Sequence, residues 1–154
     1  VTVRGMPAGV IRAAMALLIT LGIAGGLVVW TQEPDLPPAA PVAATRALVQ
    51  AVPGQPRVIN EYAIGGWLLL FAPTARPAID GRAEVYPVKY VGDYISALRM
   101  SGDWRAVVRP LHANVALLHP DTPLVNGLRD ELGWHVVYHD DTWLVLVPPS
   151  PPSA

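Results

Sequence analysis

The chain has 154 residues, eleven basic and twelve acidic, a formal net charge of −1, and no cysteine. That balance gives no electrostatic basis for nucleic-acid binding, and the missing thiols exclude disulfides and thiolate chemistry. Roughly 90 residues are left for a compact unit once the ends are set aside, enough for one modest core.

The first predicted element is an uncharged run from Ala13 to Trp30, AAMALLITLGIAGGLVVW. As a helix its length would be about 27 Å, close to the hydrocarbon thickness of a bilayer. Arg4 and Arg12 precede it, while Glu33 and Asp35 follow it. The positive-inside rule therefore places residues 1–12 in the cytoplasm and everything after the span outside the plasma membrane. A cleaved signal peptide is the alternative, but the apolar core is long and no small-x-small site follows Trp30 directly. In both cases the domain is exported. Pro34, Pro37, Pro38 and Pro41 make residues 31–41 an extended, semi-stiff spacer.

Beyond the spacer the periodicity alternates. Val42 to Val52 reads as a short amphipathic helix and Arg57 to Asn60 as a buried strand. Trp67 to Phe71 is open between strand and one to two helical turns. Pro77 to Asp80 reads as a second strand, and Tyr90 to Met100 has helical spacing. Asp103 is a helix N-cap, and Asn114 to Leu118 is a third buried strand. Asp121-Thr122-Pro123 opens a helix that Gly133 closes at Leu132. Trp134 to Tyr138 and Thr142 to Val147 form a hairpin around His139-Asp140-Asp141. This order predicts an α/β sandwich over residues 42–148 with a mostly parallel sheet and a C-terminal antiparallel hairpin. PSPPSA makes residues 149–154 a disordered tail.

In open α/β sheets, function gathers at the carboxyl ends of the strands. Those ends are Asn60-Glu61-Tyr62, Asp80-Gly81-Arg82 and His119-Pro120-Asp121. Asn60, Glu61, Asp80, Arg82 and Glu84 are the candidate ligand-binding set, three acids and one guanidinium that suit a sugar or a head group. An arginine among carboxylates is, however, more often a structural network. His119 and Asp121 could pair at a strand end. His135 and His139 lie four apart on one predicted strand, hence on one face and about 13 Å apart, too far for one metal. No metal motif, phosphate loop or nucleophile elbow is present, so no catalytic residue, metal or cofactor is expected.

The stretch VINEYAIGGWLLLFAPTARPAIDGRAEVYPVKYVGDYISAL, followed by DW and ANVALLHPDTPLVNGLRDELGWHVVYHDDTWLVLV, resembles a particular family. Its members are multi-spanning bacterial membrane proteins similar to integral-membrane glycosyltransferases of the GT-C, dolichyl-phosphate-mannose or mannosyltransferase-like type, many without assigned function. The resemblance is to their C-terminal extracytoplasmic domain. It rests on Asn60-Glu61-Tyr62, Gly65-Gly66-Trp67-Leu68, Asp80-Gly81-Arg82-Ala83-Glu84, Tyr94, Trp104, Asp121-Thr122-Pro123-Leu124, Gly133-Trp134 and Tyr138 with Asp140-Asp141. After Tyr62 the family has Asp-Trp where this chain has Ala63-Ile64, so one acid of the cluster is missing. The resemblance implies that the chain corresponds to the last span and tail of such a protein, without the loop that carries the catalytic acid. It therefore leans against an enzyme and towards a non-catalytic domain that binds or positions a partner in cell-envelope glycan assembly. The expected partners are the lipid bilayer, a polytopic membrane protein or a glycan. A subunit or fragment of a lipid-linked-sugar-dependent transferase, with Asp80 or Glu61 as general base, is the alternative, and an inactive remnant is the third reading.

Overall fold

A computed structural model describes Met15, residues 17–20 and residues 40–149. The chain divides into two compact units, Val1–Pro38 and Ala39–Ala154. Of the first, Met15 and residues 17–20 are helical, with exposed side chains from Met15 to Ile19 wherever described. Most of the predicted span at 13–30, most of the spacer at 31–41 and most of the tail at 149–154 lie outside the described residues. Among the described residues no helix is long and apolar enough to cross a membrane.

The second unit is a mixed α/β domain. Its elements are α1 (Val42–Ala51), β1 (Arg57–Asn60), α2 (Gly65–Phe71), β2 (Arg76–Pro77), α3 (Val88–Leu98), α4 (Trp104–Val108), β3 (Val115–Leu118), α5 (Leu124–Asn126), β4 (His135–His139) and β5 (Leu144–Val147). Helix α5 runs on into a π-helical turn over Gly127–Glu131. The five strands form one sheet in the order β2-β1-β3-β5-β4. β1 pairs in parallel with β2 and β3, while β5 is antiparallel to both β3 and β4. The sheet is thus mixed rather than mostly parallel. The hairpin joins it through its second strand, which leaves β4 at the edge.

Side-chain alternation divides the core into two layers. Val58, Val115, Leu117 and Val145 point to the face covered by α1 and α2. Ile59, Ala116, Leu118 and Leu146 point to the face covered by α3, α4 and α5. The chain leaves β1 for β2 through α2 on one face, then passes back across β1 to β3 through α3 and α4 on the other. Crossovers of one hand running in opposite directions require helices on opposite faces.

Local expectations hold where the physical cause is local. The Asp103 carboxylate accepts a hydrogen bond from the Ala106 amide at 3.2 Å and caps α4. Gly133, at φ +69°, closes the helix before β4, with its amide and that of Trp134 bonded back to Arg129 and Leu128. The strand read at Pro77 to Asp80 is shorter than expected, because pairing ends at Pro77. The Ala78 amide still donates to the Val58 carbonyl at 2.8 Å, and beyond it the Asn60 side chain binds the backbone in place of the strand (below). His135 and His139 do not share a face. A bulge between Val136 and Tyr138 shifts the register, so His135 stands opposite Val147 and His139 opposite Leu144, on the other side of the sheet.

Trp67 to Phe71 is helical, and Gly65 at its start explains how α2 packs. A Cβ at Gly65 would lie 2.0 Å from the Ile79 carbonyl oxygen and 2.5 Å from the Asp80 Cα. At Gly66 a Cβ would meet nothing within 4 Å. Gly65→Ala should therefore destabilise the domain by about 3 kcal/mol or more, because backbone must move. Gly66→Ala should be neutral or stabilise by up to about 1 kcal/mol through helix propensity. Urea denaturation of the two variants checks this: equal midpoints would rule out the close approach.

Candidate functional site

The carboxyl ends of β1, β2 and β3 lie along one edge of the sheet, together with the β4–β5 turn. Asn60 ends β1 and is wholly buried. Its Oδ1 accepts from the Ala78 amide at 3.0 Å, and its Nδ2 donates to the carbonyls of Ile79 and Glu61, each at 2.8 Å. Its backbone is bound in turn by Tyr94 of α3, whose hydroxyl donates to the Asn60 carbonyl at 2.9 Å and accepts from the Asn60 amide at 3.0 Å. Burial raises the Tyr94 phenol far above its ordinary range, so it remains a neutral donor. Asn60 is a bolt within the fold, with its polar atoms consumed.

Asp80 follows β2 and is also buried. Its Oδ1 accepts from the Arg82 amide at 3.0 Å and from the Arg82 Nε at 3.1 Å, and its Oδ2 accepts from the Arg82 Nη2 at 2.7 Å. This fork of donors from Arg82, chiefly the side-chain hydrogen bonds, lowers the Asp80 carboxyl to about 2 against the opposing cost of burial. Arg82 itself is largely exposed, and Glu84, also exposed, contributes only a further attraction towards it. Asp80 and Arg82 thus form a closed pair beside the sheet edge, with exposed Glu84 outside it.

Glu61 is placed differently. Its Oε1 accepts from the Thr122 hydroxyl and, at 3.4 Å, from the His119 amide. The carboxylate therefore bridges the ends of β1 and β3. Around it opens a cleft of about 450 Å³ lined by Glu61, Tyr62, Arg99, His119, Asp121 and Thr122, with Ile95, Leu98 and Pro123 as its apolar wall. This is where the strand order reverses, since the connection after β1 leaves towards β2 and the chain returns on the far side as β3. Ligand crevices of open α/β sheets form at such switch points because the loops diverge there.

His119 is oriented on two sides. Its Nδ1 lies 2.8 Å from the Thr142 carbonyl oxygen, which can only accept, so Nδ1 is the donor of that bond. The ring also stacks on Trp143 with centroids 4.0 Å apart. The sequence suggested Asp121 as its partner, whereas the bond to Nδ1 comes from the hairpin turn. That turn is held by Asp140, whose Oδ1 accepts from the Thr142 and Trp143 amides at 2.8 and 2.7 Å and whose Oδ2 accepts from the Tyr138 hydroxyl at 2.6 Å. The Tyr138 hydroxyl, then those amides, lower the Asp140 carboxyl below its ordinary value.

Of the five residues singled out from the sequence, then, Glu61 alone lines the cleft. Asn60 supports it from within, and Asp80, Arg82 and Glu84 stand apart from it. Sequence reasoning passed over Thr122 and Arg99. Thr122 reads in the sequence only as part of a helix start and Arg99 only as part of the helical segment Tyr90 to Met100; their place in one cleft with Glu61 depends on the crossover. Among the described residues no group of three or more His, Asp or Glu is arranged to hold a metal ion. No protein-family model, curated protein or solved structure matches the chain.

The Asp80 bond network stabilises the fold above the ordinary carboxylate range and loses its contribution as pH falls through about 2. Asp80→Asn should lower Tm by a few degrees at pH 7. The gap from the wild type should narrow between pH 4 and pH 2 and close below that. Thermal melts across this range check the sign: a gap that stays constant down to pH 2 would mean that the Asp80–Arg82 pair carries none of it.

Proposed function

We propose that the chain is a membrane-anchored, extracytoplasmic α/β domain that binds a glycan in the β1–β3 cleft and carries out no chemistry of its own. Its N-terminus lies in the cytoplasm and its partners belong to cell-envelope glycan assembly. The apolar run of residues 13–30, with arginines before it and acids after it, supports the anchor. The exposed apolar side chains of the helical residues Met15 and Leu17 to Ile19 fit a lipid-facing surface.

One observation carries the binding reading. The cleft sits at the topological switch point and combines an oriented carboxylate, an oriented imidazole, a guanidinium and the ring of Tyr62 against an apolar wall. Sugar rings present alternating hydroxyls and apolar C–H faces, and this combination of acceptors, donors and aromatic surface matches both. The Glu61 carboxylate is braced by Thr122 and the His119 amide, which suits a fixed acceptor for hydroxyls. Were the chain instead a subunit of a lipid-linked-sugar transferase, the general base would be Glu61, because the Asp80 carboxylate is buried and committed to Arg82.

Saturation-transfer NMR on the detergent-solubilised full chain, with manno- and arabino-oligosaccharides as probes, tests the reading. Binding should weaken about ten-fold or more in Glu61→Gln, the worth of a charge-assisted hydrogen bond. Glu84→Gln should leave it unchanged. An absence of saturation transfer from the wild type, or equal losses in both variants, would overturn the assignment.

A further inference from the structure

Helix α2 carries a surface that neither the core nor the cleft uses. From Tyr62 to Ala75 no residue is charged. The inward side of the helix is ordinary, with Leu68 fully buried in the α1–α2 core layer. The outward side is not: Leu69 is 41 % exposed, Leu70 71 % and Phe71 44 %. Three large apolar neighbours in sequence, open to solvent on one short helix, are unusual for a surface facing only water. Nor is the segment loosely held. The Trp67 ring stacks on Phe71 with centroids 3.9 Å apart, and its indole N–H donates to the Thr45 hydroxyl of α1 at 2.9 Å. The apolar face is therefore presented on a fixed support.

We propose that the outward face of α2, centred on Leu70 between Leu69 and Phe71, seats in the headgroup interface of the bilayer that anchors the chain. The inference rests on the anchor reading above. Two features select lipid as the occupant. The spacer of residues 31–41 can span at most about 40 Å, so an anchored domain is always within reach of the surface. In addition, the α1–α2 layer carries Arg46 and no carboxylate, so an anionic leaflet meets no repulsion there. Aromatic and leucine side chains on one face are what interfacial helices bury to a depth of about 5–10 Å. Because α2 begins four residues after Glu61, seating it also holds the cleft beside the headgroups, where membrane-bound glycans would present themselves.

The chain contains no cysteine, so a single label can be placed at will. Leu70→Cys and, as a control on the opposite face of the sheet, Asn126→Cys would each carry an environment-sensitive fluorophore. The full chain is reconstituted into phosphatidylethanolamine–phosphatidylglycerol vesicles containing shallow spin-labelled lipid. Quenching at position 70 should exceed that at position 126 by about two-fold or more. Equal, weak quenching at both positions would overturn the docking. So would protection of position 70 that appears only at high protein-to-lipid ratio without lipid quenching, since it would assign the face to a second copy. Retention after carbonate washing is read on the same vesicles. Retention without quenching sinks the docking alone; quenching without retention sinks the anchor reading and leaves the interfacial contact standing.

Discussion

The structure turns on one buried carboxamide. Asn60 is an amide placed where β1 ends, at a depth at which an unpaired polar group would cost about 1–3 kcal/mol. All of the side chain's bonds go to backbone: Ala78 and Ile79 on one side and Glu61, the next residue in the chain, on the other. The Ala78 amide is shared with the last ladder acceptor, the Val58 carbonyl at 2.8 Å, and the Ile79 carbonyl is bound by the side chain instead of by strand backbone. Where the ladder gives way to the side chain, the chain after β2 turns aside, and Asp80 and Arg82 close upon one another. Tyr94 clamps the Asn60 backbone from α3, so the same residue ties the sheet edge to the helix layer beneath the cleft. No aspartate could replace it without burying a charge, and no leucine without stripping the Ile79 carbonyl of its donor.

This arrangement explains which sequence readings succeed. Asp103 as a cap, Gly133 as a stop and Asn114 to Leu118 as a buried strand depend on chemistry within a turn or two of the residue concerned, and such signals are legible from order alone. The apolar stretch of α2 is ambiguous because WLLLF suits either a buried strand or a helix; a close approach to Ile79, fourteen residues after Gly65, makes it a helix against the sheet. The insertion of β5 between β3 and β4 and the bulge beside Val137 are decisions of non-local pairing, for which no single residue in either strand is a signal. The bulge has a use at that position. It interrupts a flat edge strand bearing exposed Val136 and Val137, which would otherwise offer a template for pairing with another chain.

The site divides in the same way. Asp80 and Arg82 attract notice because acid and base stand two apart, yet that proximity is what commits the acid: both oxygens of Asp80 are held by Arg82. Glu61 has no charged neighbour in sequence and receives its partner from Thr122, 61 residues on. The strand-end rule pointed to the edge at which the cleft opens, while the crossover decided which acid on that edge faces open space. Clusters legible in sequence are in this chain the structural ones, and the cleft is assembled from residues that sequence separates.

Sheet topology also sets how the two surfaces of the domain relate. A reversal at β1 needs α2 on one face and α3 on the other, so the residues that follow Glu61 must start the helix opposite the cleft wall. The apolar outward face of α2 and the polar cleft are thus consequences of one chain reversal, separated by little more than the 3-10 turn Tyr62–Ile64. Gly65 and Asn60 flank that turn, the first allowing α2 to press on the backbone after β2 and the second anchoring that backbone to β1. A movement of α2 would therefore be transmitted to the carbonyl of Ile79, and through the Asn60 amide to Glu61. If the helix seats on a bilayer, its immobilisation stiffens the wall that holds the carboxylate, and tighter ligand binding follows because less disorder is lost when the ligand arrives.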